Sequence, residues 1–335
     1  MKTLLRRLLK VAPWLLAAAV LWLVGREASA MDWAAVGDAL KSIPVPSLLL
    51  AAALAAASHL LVSSFDLIGR QQTRHGLSVP RTLLTAAISY AFNLNFGALV
   101  GGMAMRLRLY TRQGLQAATV AQVIGLSMLT NWLGYALLAG VVLLANPPPL
   151  PASWPLGERG LRIAGAVLLS IGIGYVLVCS LLRRREWCFR GQRLQLPRAR
   201  MALWQAAVSS SNWLLMSTIV WGLLQGQVAF NHVTAALLLA AVAGVIAHVP
   251  AGLGVLEAVF VATLAGQVPP AQLLAALLAY RAVYYLMPLL WAVPAYALAE
   301  AAGRAGQADA DAGSSLNAGS SATAPAATCW RRGSP

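Results

Sequence analysis

The sequence predicts an all-α polytopic membrane protein that crosses the bilayer several times. Hydrophobic residues make up 59% of the 335 positions, and charged residues make up only 10%. Several apolar runs reach about 20 residues, the length that spans roughly 30 Å of hydrocarbon at a rise of about 1.5 Å per residue. Gly, Pro and Asn interrupt two of these runs near their middles. We therefore expect about six full transmembrane helices and two re-entrant hairpins.

The first apolar segment, at about 11 to 25, resembles the core of a signal peptide. A basic stretch precedes it, and Ala28-Ser29-Ala30 follows it with the small residues typical of a cleavage site. However, Arg26 and Glu27 crowd that site, and the repeat described below requires this helix, so we expect it to be retained. Seven further apolar segments follow at about 47 to 68, 82 to 104, 119 to 145, 163 to 182, 203 to 224, 233 to 266 and 272 to 299.

The positions of Lys and Arg predict how these segments thread through the bilayer. If all eight segments cross it, the loops on the two sides carry equal numbers of basic residues, which contradicts the positive-inside rule. If the segments at 82 to 104 and 233 to 266 enter and leave on one face, the Arg-rich loop at 183 to 200 and both termini lie in the cytoplasm. The outer side then retains only four basic residues: Arg26, Lys41, Arg159 and Arg162.

The hairpin topology repeats the same order of elements in both halves of the chain: helix, helix, hairpin, helix. The first half, at about 10 to 145, starts inside and the second, at about 161 to 299, starts outside, which predicts an inverted-topology repeat typical of transporters. The alternative is eight simple spans with kinks and no functional symmetry. In either case residues 1–300 form a single membrane domain, and the Ala-, Gly-, Ser- and Asp-rich residues 301–335 form a disordered cytoplasmic tail.

The first hairpin carries two arginines on its second arm, near the cytoplasmic interface. Their guanidinium groups suit the capture of a lipid phosphate, although snorkelling or a simple topology signal also explains such residues. Arg106 follows a glycine pair by about one helical turn and should face the cavity, whereas Arg108 is rotated by about 200° and should face the head groups. The candidate contacts at the break of this hairpin are Asn93, Asn95, Gly101 and Gly102.

The second hairpin is interrupted by the pattern HxPxGxGxxE. A half-helix that begins near the second glycine would direct its N–H groups and its positive dipole end at an anionic group, with Glu257 one turn inside it. Glu257 is either a helix-capping carboxylate or the partner of Arg281 in a buried ion pair. No HExxH or comparable cluster accompanies the pattern, so we expect no metal site. The pattern consists of His248, Pro250, Gly252, Gly254 and Glu257.

Arg281 lies within the last apolar segment, where an ionised group is costly unless it faces a cavity and finds a partner. Tyr280 and Tyr284, spaced by four positions, place two hydroxyl groups on one helical face beside it. An interfacial aromatic belt is the alternative, although apolar residues extend in both directions. We therefore expect a functional site within the membrane.

Other polar residues also occur within the apolar segments. Asn131 and Asn212 are candidates either for substrate contact or for ordinary hydrogen bonding between helices. His59 and Asp66 lie seven positions apart on one predicted helical face, an arrangement compatible with a proton relay. An interfacial position explains Asp66 equally well.

Four stretches of the sequence resemble a known family. They are SYAFNLNFGALVGGMAMRLRLYTRQGL, NWLGYALLAG, HVPAGLGVLEAVF and AYRAVYYLMPLL, and they occur in order within about residues 10 to 300. They are similar to signature stretches of the flippase-like membrane domain of lysylphosphatidylglycerol synthases, in its short stand-alone form. The resemblance implies a bacterial inner-membrane protein that moves phospholipid between leaflets, with the Gly-rich, Arg and Glu motif positions lining the path.

The sequence departs from those synthases in one respect. The synthases append a soluble aminoacyl-transferase domain, whereas this chain continues after Glu300 with the tail described above. We therefore expect neither lipid aminoacylation nor catalytic residues, and we expect the substrate to be an anionic or modified phospholipid. The alternatives are a non-transporting lipid-binding partner of a lipid-synthesising enzyme and a lipid-carrier transferase with a catalytic carboxylate or histidine.

Composition and motifs argue against several other classes. The net charge of +15 arises from Lys and Arg between apolar segments, where they set orientation and meet anionic lipid, so we expect no nucleic-acid binding. The three cysteines form neither a disulfide framework nor a CxxC pattern. The sequence has no phosphate loop or nucleotide motif, so we expect no cofactor and no ATP-driven pumping by this chain alone.

Overall fold

The computed structural model describes most of the chain. It covers residues 32–148, 157–182, 186–189, 192–247, 249, 252–264 and 266–316. The predicted helix at 11 to 25, His248, Pro250 and residues 317–335 of the predicted tail lie outside the described residues. The described part is nearly all helical, as the hydropathy pattern predicts.

Between residues 32 and 148, the described chain forms six α-helices and one π-helical segment. The Asp32 carboxylate caps the first helix by accepting hydrogen bonds from the N–H groups of Ala34 and Ala35 at 3.0 and 3.1 Å. Prolines lie in the first turns of α2 and α4, where a missing N–H costs no helical hydrogen bond. The elements are α1 (Trp33–Lys41), α2 (Val45–Ser63), α3 (Phe65–Thr73), α4 (Val79–Gly97), the first π-helical segment (Ala98–Ala104), α5 (Met105–Arg112) and α6 (Ala117–Ala145).

From residue 157 onwards, the described chain forms six further α-helices, two short strands and a second π-helical segment. The strands pair antiparallel with each other. The elements are α7 (Glu158–Leu181), β1 (Glu186–Phe189), β2 (Gln192–Gln195), α8 (Ala199–Leu223), α9 (Phe230–Ala247), α10 (Val255–Leu264), α11 (Pro270–Tyr280), the second π-helical segment (Arg281–Leu286) and α12 (Met287–Leu316).

Two features differ from the sequence-based expectation. The Arg-rich loop contains the β1–β2 hairpin, which an all-α class does not include, and Trp187 and Phe189 of β1 are types that favour extended backbone. In addition, α12 continues to Leu316, so the first part of the predicted disordered tail is helical. A composition too polar to form a core does not prevent an Ala-rich segment from prolonging a helix that is already nucleated.

Five helical stretches of the described chain are long and apolar enough to cross a membrane. The predicted segment at 203 to 224 forms α8, which is not one of them because polar residues such as Gln205, Ser209 and Asn212 lower its hydropathy. Those three side chains are buried within the protein rather than exposed on its surface. The five stretches are Val45–Thr73, Ala117–Ala145, Glu158–Leu181, Phe230–Ala247 and Pro270–Ala301.

The chain reverses direction at both breaks that the sequence indicates. Gly97 adopts a φ of +82°, and the first π-helical segment then packs back on α4. The contact is so close that a Cβ atom at Gly101 would collide with the backbone of Phe92. Between α9 and α10, Gly252 and Gly254 adopt φ values of +57° and +75°, and the two helices pack on each other. Glycine suits both reversals because it has no Cβ to oppose a positive φ.

Close helix packing positions these hairpins. α6 packs on α7 and α8, and α8 also packs on α2. Small residues permit the contacts: Gly134 faces Ser209, and Gly140 faces Leu169. The apolar side chains of α7 are instead largely exposed, as on a lipid-facing helix. The buried apolar core lies between α8, α9, α10 and α11 and holds the second hairpin in place.

Candidate functional site

A buried ion pair joins the second hairpin to the last membrane helix. Arg281 Nη2 donates to Glu257 Oε2 at 3.0 Å, and Arg281 Nε donates to Glu257 Oε1, so the pair is bidentate. Arg281 Nη2 also donates to the carbonyl oxygen of Gly252 at 2.9 Å. Only 11% of the Arg281 side chain and 18% of the Glu257 side chain are exposed. Of the two roles that the sequence allows for Glu257, the geometry supports the ion pair with Arg281.

The break of the second hairpin is held by the same pair. Gly252 supplies the carbonyl that Arg281 binds, and Gly254 directly precedes α10, whose first turn carries Glu257. The remaining two members of the pattern, His248 and Pro250, lie outside the described residues. Arg281 therefore fixes both the turn and the helix that follows it.

Three tyrosines lie beside Arg281, one at the end of α11 and two in the second π-helical segment. The rings of Tyr280 and Tyr284 stack with their centroids 5.2 Å apart, as their shared helical face predicts. The Arg281 guanidinium lies over the Tyr285 ring, 5.3 Å from its centroid, in a cation–π contact. Tyr280 and Tyr284 are completely buried, so their position differs from that of an interfacial aromatic belt. π-Helical turns recur at functional sites because they redirect side chains within a helix.

A network of hydroxyl and amide groups surrounds Tyr284. Its hydroxyl oxygen lies 2.8 Å from Ser58 Oγ and 3.2 Å from the Tyr90 hydroxyl oxygen. Ser58 Oγ also donates to Asn212 Oδ1 at 2.6 Å. His59 Nε2 lies 3.1 Å from the carbonyl oxygen of Tyr284. The network therefore joins α2, α4 and α8 to the second π-helical segment.

The polar residues at the break of the first hairpin have two different environments. Asn95 Nδ2 donates to the carbonyl oxygen of Tyr285 at 2.9 Å and so connects the first hairpin to the second π-helical segment. Asn93 and Gly102 meet within the hairpin, where a Cβ at Gly102 would lie 2.8 Å from Asn93 Oδ1. Gly101 packs against the backbone opposite it. These glycines therefore let the two arms of the hairpin approach closely.

Arg106 forms a second buried ion pair. It lies on α5, directly after the first π-helical segment. Its Nε lies 3.5 Å from Asp66 Oδ2, which also accepts a hydrogen bond from the Tyr110 hydroxyl at 2.8 Å. The Arg106 side chain is 9% exposed and that of Asp66 is fully buried. Among the described residues, neither Asp66 Oδ1 nor Arg106 Nε has a hydrogen-bond partner. The inward orientation of Arg106 agrees with its predicted position.

Arg108 faces outward, as predicted, but it is held by a carboxylate that the sequence did not indicate. Arg108 Nη2 contacts Glu300 Oε1 at 2.5 Å, and Arg112 Nη1 contacts the same oxygen at 2.7 Å. Half of the Arg108 side chain is exposed, compared with 11% of Glu300. The end of the last membrane helix is thereby tied to α5.

Asn131 takes part in helix–helix packing through its backbone. Its carbonyl oxygen accepts hydrogen bonds from Ser209 Oγ at 3.0 Å and from Trp213 Nε1 at 3.4 Å. These contacts match the ordinary packing alternative for Asn131. Asn212, in contrast, belongs to the network around Tyr284 through its side chain.

The structure does not support a proton relay between His59 and Asp66. The helix predicted as one piece is divided at Ser64, so His59 lies on α2 and Asp66 on α3. His59 contacts Tyr284, whereas Asp66 contacts Arg106 and Tyr110. The two residues therefore have separate partners.

His75 lies beside the Asp66–Arg106 pair, outside the membrane-spanning stretches. Its ring centroid is 6.2 Å from that of Tyr110. Burial lowers the pKa of His75, and the positive charge of Arg70 lowers it further, although the carboxylate of Asp66 opposes both effects. The imidazole is therefore largely neutral at pH 7, and Arg106 is the cation that faces Asp66.

Sequence reasoning missed Ser58, Tyr90 and Glu300. Ser58 directly precedes His59 and Tyr90 precedes Asn93 by three positions, but a single hydroxyl in an apolar run gives no signal of its partners. Glu300 is 192 positions from Arg108 along the chain, so no local pattern links them. The one available signal was that Glu300 is an acidic residue at the end of a long apolar segment.

The arrangement offers two kinds of contact to a polar ligand. Arginine guanidinium groups bind the oxygens of phosphate with the same fork geometry that they use for carboxylate. The hydroxyl and amide groups around Tyr284 both donate and accept hydrogen bonds, and such contacts strengthen in a low-dielectric interior. The part of the chain that the structure describes has no group of three His, Cys, Asp or Glu residues suited to a metal ion.

Comparison with known proteins agrees with the motifs. The family model of the lysylphosphatidylglycerol synthase TM region matches residues 9–292, which confirms the resemblance seen in the sequence. The inner membrane protein YbhN of Escherichia coli (strain K12) is 42% identical over 292 residues, which cover 87% of this chain and 92% of that protein. An uncharacterized protein of Synechocystis sp. is 30% identical over 85% of this chain and 90% of its own length. A phosphatidylglycerol lysyltransferase of Staphylococcus haemolyticus is 24% identical over 70% of this chain but only 27% of that protein.

Proposed function

The chain belongs to the family of the lysylphosphatidylglycerol synthase transmembrane region, and from this premise we propose that it moves anionic phospholipid between the leaflets of a bacterial inner membrane. The name of the lysyltransferase relative supports phospholipid as the substrate class, and the name of the Escherichia coli relative supports the location. The proposal assigns no chemical reaction to this chain.

The proposal includes a topology in which both hairpins are re-entrant and both termini are cytoplasmic. The two chain reversals support it, because each lies at a break within an apolar segment. The charge distribution supports it independently, since this threading leaves few basic residues outside. The two halves then form an inverted repeat, and transporters of this kind bind substrate between the halves. Both breaks contact the second π-helical segment, through Asn95 to the Tyr285 carbonyl and through the Gly252 carbonyl to Arg281.

One observation carries the functional proposal: each hairpin is tied to a neighbouring helix by a buried arginine–carboxylate pair. The two pairs are Glu257–Arg281 and Asp66–Arg106. The hydroxyl groups of Ser58, Tyr90 and Tyr284 form a network near the first pair, because Tyr284 lies three positions after Arg281. Charges inside apolar helices are costly to retain, so a polar substrate path is a physical reason for their presence.

The mechanism that fits this geometry is stepwise exchange of anionic partners. A lipid phosphate replaces Asp66 at Arg106, whose Nε has no hydrogen-bond partner among the described residues. The head group then passes along the hydroxyl groups around Tyr284 towards Arg281, where the phosphate competes with Glu257. The acyl chains remain in lipid, because the outer surfaces of the helices are apolar.

Reconstitution tests the proposal. The purified full chain is placed in vesicles that contain a trace of head-group-labelled phosphatidylglycerol, and an impermeant quencher reports label that reaches the outer leaflet. We expect the wild-type chain to expose inner-leaflet label. Arg106→Gln should slow this exchange at least about tenfold, a change of about 1.4 kcal/mol in the barrier. Glu158→Gln is the matched control, because it breaks an exposed ion pair with Arg162.

Two other outcomes would replace the proposal. Exchange no faster than in protein-free vesicles, for several anionic lipids, would favour a non-transporting lipid-binding partner of a membrane enzyme. A new lipid product, formed when a donor and an acceptor are supplied, would favour a lipid-carrier transferase. Equal exchange by Arg106→Gln and wild type would leave transport in place but remove Arg106 from the path.

A further inference from the structure

Arg108 and Arg112 converge on a single carboxylate at the end of the last membrane helix. They lie one turn apart on α5, and both contact Glu300 Oε1. Arg108 also donates through Nε to Glu300 Oε2 at 3.3 Å, and Arg112 reaches the Glu300 carbonyl oxygen at 3.4 Å. Two positive side chains at this spacing repel each other unless an anion lies between them.

The arginines differ from their carboxylate partner in accessibility. The Arg108 and Arg112 side chains are 50% and 28% exposed, whereas the Glu300 side chain is 11% exposed. The two guanidinium groups also outnumber the carboxylate between them. An anion that arrives from outside the protein therefore has access to the arginines while Glu300 is in place.

The surroundings of this cluster suit a lipid. Leu107 on α5 and Leu298 on α12 are 42% and 71% exposed beside it. The Tyr296 ring packs edge-on against Phe92, with centroids 5.7 Å apart, and so continues the apolar surface. The charge distribution assigns this end of the helices to the cytoplasmic face, where anionic head groups attract basic residues.

We propose that Arg108 and Arg112 form a phosphate-binding site for anionic lipid at the cytoplasmic surface, and that Glu300 is its internal occupant. The carboxylate holds the place that a phosphodiester takes, because both present two oxygens to a guanidinium fork. Lipid binding displaces Glu300 and releases the end of α12 from α5. This inference rests on the proposed function for the lipid nature of the ligand, and it adds an entry site that is distinct from Arg106 and Arg281.

Binding measurements with the full chain in neutral detergent test the site without requiring transport. The probes are dihexanoyl phosphatidylglycerol, dihexanoyl phosphatidylcholine and inorganic phosphate, and the readouts are intrinsic fluorescence titration and the ligand-induced shift in Tm. Glu300→Gln should bind the phosphatidylglycerol about tenfold more tightly than wild type, if Glu300 occupies the site about nine-tenths of the time. The Arg108→Gln/Arg112→Gln double variant should bind it about tenfold more weakly. Glu158→Gln is again the control and should bind as wild type does.

Each result supports or overturns the site. The gain in Glu300→Gln is decisive, because it does not depend on whether the double arginine variant folds. Equal affinity of Glu300→Gln and wild type would overturn the proposal. An equal gain for inorganic phosphate would make the ligand a soluble anion and overturn the lipid assignment. An equal gain for phosphatidylcholine would show that net lipid charge is irrelevant and would overturn the anionic preference. Tight binding without leaflet exchange would refute the proposed function and leave this site standing.

Discussion

Glu257→Gln removes the negative charge that faces Arg281 while keeping nearly the same shape. The change puts a neutral amide in place of the carboxylate that faces the guanidinium, in a site where 11% of the Arg281 side chain is exposed. Removing one partner of such a buried pair typically costs about 3 to 5 kcal/mol. Because the neutral amide retains part of the hydrogen bonding, we expect a loss near the lower end, about 3 kcal/mol.

Arg281→Gln should cost a similar amount, because it leaves the Glu257 carboxylate buried without its bidentate partner. The double variant removes both charges, so its loss should be well below the sum of the two single losses. We expect a coupling energy of about 2 to 3 kcal/mol. On the scale of about 2 to 4 °C per kcal/mol, each single variant should lower Tm by about 6 to 12 °C.

The assay is thermal unfolding of the four proteins in one detergent at one scan rate. Glu158→Gln serves as the control, since its ion pair with Arg162 is exposed and should be worth less than about 0.5 kcal/mol. Strict additivity of the two single changes would refute the reasoning. It would mean that Glu257 and Arg281 contribute to stability independently, whatever their distance.

The remaining predictions concern topology, packing and the substrate path. Single cysteines at Gln71 and Gln116, with the native cysteines replaced, should both resist impermeant thiol reagent in intact cells; labelling of only one would exclude the first hairpin. Gly101→Ala should cost about 1 to 3 kcal/mol, because its Cβ would overlap the facing backbone, whereas Gly125→Ala has open space within α6 and should stabilise the helix by up to about 1 kcal/mol. Equal Tm values would contradict this packing. Arg106→Lys should slow leaflet exchange measurably, since lysine lacks the guanidinium fork; full activity would show that charge alone suffices.

Much of the architecture could be predicted because it follows from local composition. Apolar length and the scarcity of charge indicate membrane helices, since every backbone group in lipid must be bonded within its own segment. The two chain reversals could be located for a related reason: glycine and proline interrupt otherwise apolar runs, and Gly97 and Gly254 adopt the positive φ that other residues avoid. The continuation of α12 to Leu316 and the strand pair between α7 and α8 were less predictable, because continuation of a helix and pairing of short strands depend on neighbours that composition does not describe.

The candidate site was predictable only in part. Arg281 and Glu257 stand out in the sequence because an ionised residue in an apolar segment requires a compensating partner. Ser58 and Asn212 contact each other across 154 positions, and Arg108 and Glu300 across 192, and no periodicity within one helix encodes such separations. His59 and Asp66 illustrate the opposite error: their spacing suggested one shared face, but His59 contacts Tyr284 whereas Asp66 contacts Arg106 and Tyr110.

The sequence by itself therefore determined the membrane class, the family and the ionisable residues that need partners, because hydropathy and charge act residue by residue. Tertiary structure alone decided which partner each charge has. Arg106 meets Asp66, Arg281 meets Glu257 and Arg108 meets Glu300 because helix packing brings distant segments within hydrogen-bonding range. Helix packing depends on the shapes of whole helix surfaces, and small residues such as Gly134 and Gly140 let two helices approach closely. The sequence features that decide the packing are therefore spread over the entire chain.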